Sequence, residues 1–152
     1  MADAALEKRI TELEDVEAIK RLKAFYCDIC DDDHNPDRIW KIFAEDGIWE
    51  GGDFGQAKGH AAIRQLFEGF KKLISFSQHN VFNPQIVVNG DRAHASWYLV
   101  GPFTFREKND ARWLACRYED DYVKINGEWK YQHLRAIIRM SAPYETGWAK
   151  QQ

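Results

Sequence analysis

The sequence predicts an α+β domain, with three N-terminal helices packed on a strongly curved, mostly antiparallel sheet to form a cone-shaped α+β barrel. Three observations carry this. Apolar residues recur at three- and four-residue steps through the first third of the chain and again over 61–72. From Leu73 onward the pattern changes to long β-type runs. Those runs are separated by Asn89-Gly90-Asp91, Lys108-Asn109-Asp110 and Asn126-Gly127, residues suited to hairpin turns.

In the first helix, Leu6, Ile10, Leu13, Val16, Ile19, Leu22, Tyr26 and Ile29 form one apolar series with Glu, Lys and Arg between them. Asp15 suits the cap of a fresh start within this run, with Glu17 following in the first turn. Pro36 ends the run, because the residue before a proline avoids helical geometry. Pro36-Asp37 then opens a short helix through Phe43, with Ile39, Ile42 and Phe43 on one side. Ile48-Trp49-Glu50 reads as a short strand. The glycine-rich stretch Gly51 to Gly59 connects it to a third helix, Ala61 to Lys72, with Ile63, Leu66, Phe67 and Phe70 at helical spacing. The four later runs, 74–88, 92–107, 111–125 and 128–141, are long for strands, so the sheet must bend or twist strongly. Helices on one face of such a sheet enclose a conical cavity. No repeat, low-complexity tract or linker divides the chain, so 1–152 is expected to be one domain.

Composition narrows the function classes. A chain of 152 residues buries roughly two thirds of its unfolded surface and needs no disulfide or metal staple to fold. Its net charge of −3 is no footprint for nucleic acid. No window approaches the ~18–20 uncharged apolar residues of a membrane span. Met1 to Leu13 lacks the basic start and apolar stretch of a signal peptide. An odd cysteine count, three, points to a reducing compartment, so a cytoplasmic protein is expected. Nine Phe, six Tyr and six Trp are a heavy aromatic load. Beyond core packing, such residues line small-molecule cavities or cover subunit interfaces, and Trp49 is a candidate substrate-binding residue. An open sheet rich in Trp and Tyr predicts a homodimer or homotrimer.

Few residues are placed for chemistry. Cys27-Asp28-Ile29-Cys30 spells C-x-x-C but lies near the end of a helix, with no second pair to complete a zinc site, so the cysteines are read as buried and structural. Gly51 to Gly59 lacks the order of a phosphate loop. His34, His60, His79, His94 and His133 form no H-x-H, H-x-x-x-H or helical pair, so neither a metal centre nor a cofactor is expected. His79 stands apart. It falls mid-strand, in phase with Val81 and Asn83, where an imidazole needs a partner or a task.

Asp31-Asp32-Asp33 lies at the carboxyl end of a helix, where the macrodipole disfavours acids. Asp32 and Asp33 read as a solvated turn. Asp31, nearest the helix, is the one placed to point inward, and the local field should raise its proton affinity. Tyr26, five residues earlier, lies about 140° further round an ideal helix. The two therefore flank a cavity from different sides, or the helix breaks between them. On the last run, Trp129, Tyr131, His133, Arg135, Ile137 and Arg139 share one phase, and Leu134, Ala136, Ile138 and Met140 the other. An arginine on the cavity phase would hold a substrate carboxylate or oxyanion; on the outer phase it is solvated rim.

Several segments together resemble the SnoaL-like branch of the nuclear transport factor 2-like superfamily. They are Leu13 to Leu22, Tyr26, Asp31, Phe43 to Gly47, Gly59 to Ile63, His79 to Pro84, Gly90 to Ala93 and Asn126 to Lys130. The resemblance covers almost the whole chain and implies the cone-shaped fold. Within that branch, Tyr26, Asp31 and His79 stand at the spacing of the catalytic Tyr, Asp and His of bile-acid 7-alpha-dehydratases. They also resemble the Asp–His pairs of scytalone dehydratases and hexachlorocyclohexane dehydrochlorinases, although the latter carry Lys where this chain has Tyr26. A last-strand arginine belongs to the dehydratase pattern; Arg139 matches it one residue out of step, and Arg135 is the rival. The resemblance implies a cofactor-independent lyase in which His79, oriented by Asp31, eliminates water from a small hydrophobic substrate, a hydroxylated polycyclic or aromatic-sized carbonyl compound. A non-catalytic binding domain, and an isomerase, cyclase or epoxide hydrolase, are the alternatives this scaffold also hosts.

Overall fold

The computed structural model describes residues 2–149. Helix α1 (Ala2–Asp31) is continuous, so Asp15 caps no new start. Asp15 instead accepts hydrogen bonds from the Trp129 indole at 2.9 Å and from Lys124 Nζ at 2.8 Å, tying α1 to the last two strands. Helix α2 (Pro36–Ile39) is capped by Asn35, whose side-chain oxygen accepts the Asp37 N–H at 3.1 Å. A 3₁₀ turn (Trp40–Ile42) follows, and Phe43 begins strand β1 (Phe43–Glu50) rather than ending a helix. The glycine-rich connector holds a second 3₁₀ turn (Gly52–Phe54) and strand β2 (Gln56–Lys58), and leads into α3 (His60–Leu73).

Five strands complete the chain: β3 (Ile74–Ser77), β4 (Asn80–Asn89), β5 (Arg92–Phe105), β6 (Asp110–Ile125) and β7 (Glu128–Pro143). The sheet order is β2-β1-β7-β6-β5-β3, with β4 also on β5. Only β1 and β7 run parallel, so the α+β, mostly antiparallel expectation holds.

Two departures from regular strands position the site. The expected run 74–88 is broken at Gln78 and His79, and β3 and β4 lie end to end along β5. Ser77 faces Phe103 and Asn80 faces Val100, so the spacing is equal on both sides. The break is therefore a displacement out of the ladder rather than an inserted residue, and it places His79 at a strand junction instead of mid-strand. Gly101 sits opposite. A Cβ there would lie 1.9 Å from the Gln78 carbonyl oxygen, so no larger residue tolerates this close approach.

The second departure is in β7. Asp121 pairs with His133 but Tyr122 with Tyr131, which leaves Gln132 as an extra residue. The inward phase therefore switches: Trp129 and Tyr131 are buried before the bulge, Leu134 and Ala136 after it. A second shift leaves Arg139 unopposed between Ile138 and Met140.

The core joins the C-terminal half of α1 (Ile19, Tyr26, Ile29) and α3 (Ile63, Phe67) to Leu99, Tyr131 and Leu134 of the sheet. Leu6, Ile10 and Leu13, expected on the same apolar face, are exposed, because α1 reaches its packing partners only in its second half. Within the core lies an ion pair. Lys23 Nζ is 2.8 Å from Asp120 Oδ2 and 3.3 Å from the centre of the Tyr118 ring, and the Tyr122 hydroxyl donates to the same carboxylate. Among the described residues no helix is long and apolar enough to cross a membrane.

Candidate active site

A cavity of about 50 Å³ lies between the helices and the sheet. Tyr26, Cys30 and His34 line it from α1 and the turn after it, Phe67 and Phe70 from α3, and Leu99, Phe103, Tyr118, Ala136 and Ile138 from the sheet. His79 enters from the β3–β4 junction, Trp49 from β1, and Phe54 from the glycine-rich connector. The wall is mostly hydrocarbon, so a charge or hydrogen bond inside acts in a low-dielectric setting.

Asp31 and His79, 48 residues apart, meet beside this cavity. Asp31 Oδ1 lies 2.6 Å from His79 Nδ1, and Oδ2 accepts the His79 backbone N–H at 2.8 Å. Ser77 also donates to Oδ1, at 2.9 Å. A carboxylate only accepts, so Nδ1 carries a proton, and in the neutral ring the lone pair is on Nε2. The imidazole is 6% exposed, and the Asp31 side chain 28%. Half-burial opposes the charged form of Asp31. The hydrogen bonds and charge supplied by His79, with the Ser77 hydroxyl, outweigh it and hold the carboxyl below its usual range. The rise in proton affinity expected at a helix end is thus reversed by three donors.

Tyr26 is 2% exposed and stands edge-on to the His79 ring, centre to centre 6.4 Å. Its hydroxyl oxygen accepts the Trp49 indole N–H at 3.0 Å. Burial pushes the phenol well above its ordinary pKa, so it remains protonated. Because α1 is unbroken, Tyr26 faces the cavity while Asp31 reaches His79 from the rim, the flanking arrangement their spacing allows.

Arg135 and Arg139 do not line the cavity. The Gln132 bulge turns Arg135 to the other face, where it binds Asp121 at 2.8 Å and His133 at 2.9 Å. Arg139 lies 5.9 Å from the Tyr98 ring. The Ala136 and Ile138 phase faces the interior instead.

One cavity residue was not singled out from sequence. His34 is 5% exposed, and its ring centre lies 6.0 Å from that of His79. Burial first, then the neighbouring His79, pushes its pKa down to about 3, so it is a neutral imidazole. The His34 backbone N–H donates to the Cys30 carbonyl at 3.0 Å, and its φ of 49° folds the turn back under the cavity. The i, i+4 spacing from Cys30 was the available signal. The other histidines have partners outside the cavity: Phe43 for His60, Asp121 and Glu119 for His94, and Glu50 for His133.

Known proteins with the same architecture include several enzymes. LinA superposes with a TM-score of 0.85 at 18% identity, over 95% of this chain and 99% of that one. A hexachlorocyclohexane dehydrochlorinase, LinA-type3 from Novosphingobium barchaimii LL02, gives 0.82 at 18% identity over 95% and 99%. A protein from Novosphingobium aromaticivorans DSM 12444, provisionally assigned as a scytalone dehydratase, gives 0.80 at 23% identity over 90% and 91%. At such identities these likenesses establish the fold alone. Among curated proteins none matches the chain. The family model of the SnoaL-like domain matches residues 11–135, from the middle of α1 to the bulged last strand. The chain therefore belongs to the SnoaL-like domain family of the nuclear transport factor 2-like superfamily.

Proposed function

We propose that this protein is a lyase, a dehydratase in which His79 is the general base, Asp31 its orienting carboxylate and Tyr26 the hydrogen-bond donor to the substrate. The observation that carries this is the Asp31–His79 contact at 2.6 Å, which fixes the proton on Nδ1 and leaves the Nε2 lone pair on a residue lining an apolar cavity. Nε2 removes a proton next to a carbonyl group, and the C–H electrons form the new double bond as the β-hydroxyl departs. Asp31 stabilises the imidazolium, as in other Asp–His pairs. Trp49 occupies one lone pair of the Tyr26 oxygen, and the Tyr26 proton, which otherwise hydrogen-bonds the Cys30 sulfur, turns to the substrate oxygen. Its raised pKa keeps it from giving that proton up. The proton that completes the departing water therefore comes from the His79 imidazolium, so the base returns to its starting state. Trp49 supports Tyr26 as well as lining the cavity, and the chemistry itself requires no cofactor.

Size limits the substrate. Ligand cavities commonly run about 300–1,000 Å³, and this one is about 50 Å³. A compact hydroxylated carbonyl compound of single-ring size is favoured over a polycyclic one. It enters with displacement of Phe54, which lies on a connector whose Gly52 and Gly55 adopt positive φ.

The test is a thermal-stabilisation screen of hydroxylated aromatic and alicyclic carbonyl compounds, followed by turnover in ¹⁸O-labelled water. The proposal expects a ligand that is dehydrated by the wild type and bound but not turned over by His79→Ala. Label appearing as a new hydroxyl would identify a hydrolase. A ligand bound equally by both proteins with no product would identify a binding domain. Exposed Phe82, Val87 and Ile137 support a homodimer or homotrimer; a sedimentation profile of a monomer at micromolar concentration would count against it.

A further inference from the structure

Three side chains at the end of the cavity converge without forming a sequence motif. The Cys30 sulfur, one nitrogen of His34 and one of His79 all lie within 4.8 Å of one another. We propose that this Cys–His–His cluster is a binding site for a thiophilic divalent cation of the zinc class, which competes with the elimination chemistry for His79.

The donor set itself makes the first argument. A thiol and two imidazoles suit zinc and reject magnesium or calcium, which need oxygen ligands. Three protein ligands leave a fourth position toward the cavity, the arrangement of an open zinc site.

The second argument comes from the partners of each donor. His34 is 5% exposed, and no described residue hydrogen-bonds its ring, so it is a buried imidazole with a lone pair facing the cluster. Asp31 holds His79 by Nδ1, which aims Nε2 and matches the carboxylate–histidine–metal arrangement in which an outer carboxylate fixes the ligand tautomer. Cys30 is 1% exposed and lines the cavity with both histidines.

The third argument is access and fit. A surface depression bordered by Asp31, Asp33, Ser77 and Arg106 shares His34 with the cavity, giving a cation a polar way in. Zinc–sulfur and zinc–nitrogen bonds of about 2.3 and 2.0 Å set donor separations of about 3.5 Å. The donors, all within 4.8 Å of one another, must therefore close by at most about 1.3 Å, within reach of rotations of the His34 ring and the Cys30 thiol. On binding, the Cys30 proton passes to solvent and the thiolate bonds the ion.

The ion also takes the His79 lone pair, so metal-loaded protein has no free base there. Metal binding and the lyase reading are measured separately, because the readout below is spectroscopic.

The test uses the full chain stripped with a chelator and titrated with Zn²⁺ by calorimetry and with Co²⁺ by absorption. The proposal expects one ion per chain. The Co²⁺ adduct should show the intense visible bands of tetrahedral cobalt and a thiolate-to-cobalt charge-transfer band. Cys30→Ser should abolish the charge-transfer band, His34→Gln should weaken Zn²⁺ binding by at least tenfold, and Asp31→Asn should weaken it by about 10–100-fold. Absence of a charge-transfer band in the wild-type Co²⁺ adduct would overturn the proposal whatever the variants do. So would Zn²⁺ affinity unchanged in the folded Cys30→Ser protein.

Discussion

Asp31 grips His79 at two points, accepting from the ring Nδ1–H with one oxygen and from the backbone N–H with the other. This double contact predicts the outcome of Asp31→Asn. The backbone N–H still needs an acceptor, so the asparagine carbonyl stays on it and the NH₂ group turns toward Nδ1. His79 must then accept at Nδ1 and carry its proton on Nε2, the wrong tautomer for a base. Nitrogen-15 NMR should show that tautomer change, and any elimination activity should fall by about 10²–10⁴-fold. An unchanged tautomer with lost activity would move the role of Asp31 away from orientation.

Gly101 governs the same geometry from the neighbouring strand. In Gly101→Ala the new Cβ meets the Gln78 carbonyl oxygen at 1.9 Å, so backbone must move beside His79. The expected cost is about 1–3 kcal/mol, the range for overpacking. The displacement should also weaken the deshielded Nδ1 proton resonance of His79. A stability loss with that resonance unaltered would show the strain dissipating along β5 instead.

The parts of this site legible in the sequence are those set by local chemistry. A carboxylate at a helix carboxyl end and an imidazole among strand residues are anomalies in their own surroundings, and Asp31 and His79 prove to be partners. Turn residues such as Asn126-Gly127 carry the hairpins because both adopt positive φ. The arginines are a different case. Counting by twos along β7 fails at Gln132, since one inserted residue exchanges the faces, and Arg135 ends outside. His34 reaches the cavity because Asp33 and His34 both take positive φ, a conformation uncommon for any single non-glycine residue and rarer for two in succession. Long-range packing likewise decides which half of the α1 apolar stripe is used.

On the outer side of the sheet, His94 lies between Asp121 at 2.8 Å and Glu119 at 2.9 Å. The hydrogen bond to Asp121 raises its pKa above 6.5 despite partial burial, and Glu119 adds to the effect. Arg135 shares Asp121, and Arg117 shares Glu119, so other cations compete for both carboxylates. A raised folded-state pKa means the contribution is fully present below the unfolded value near 6.5 and is lost as pH rises through the folded value. Urea unfolding of wild type and His94→Gln should therefore differ most at acidic pH and converge on the alkaline side. The difference should be within about 1 kcal/mol, as for other half-exposed pairs. A gap that widens with rising pH would contradict the assignment.

The Lys23–Asp120 pair couples α1 to β6 through the core, and its partners are 2% and 0% exposed. Burial raises the Asp120 carboxyl pKa, with Lys23 and then the Tyr122 hydroxyl opposing the shift. Removing the cation leaves a buried carboxylate supported chiefly by one hydroxyl, and one of its oxygens already lacks a partner among the described residues. Lys23→Met should therefore cost about 3–5 kcal/mol at neutral pH. Because an acid with raised pKa is destabilising when charged, that deficit should narrow as pH falls and Asp120 takes up a proton. Asp120→Asn on the Lys23→Met background should recover much of the loss at pH about 7, giving a large coupling energy in the double-mutant cycle. Additive losses would mean that the two groups act through separate packing contacts, the Lys23 ammonium through the Tyr118 ring at 3.3 Å and Asp120 through Tyr122.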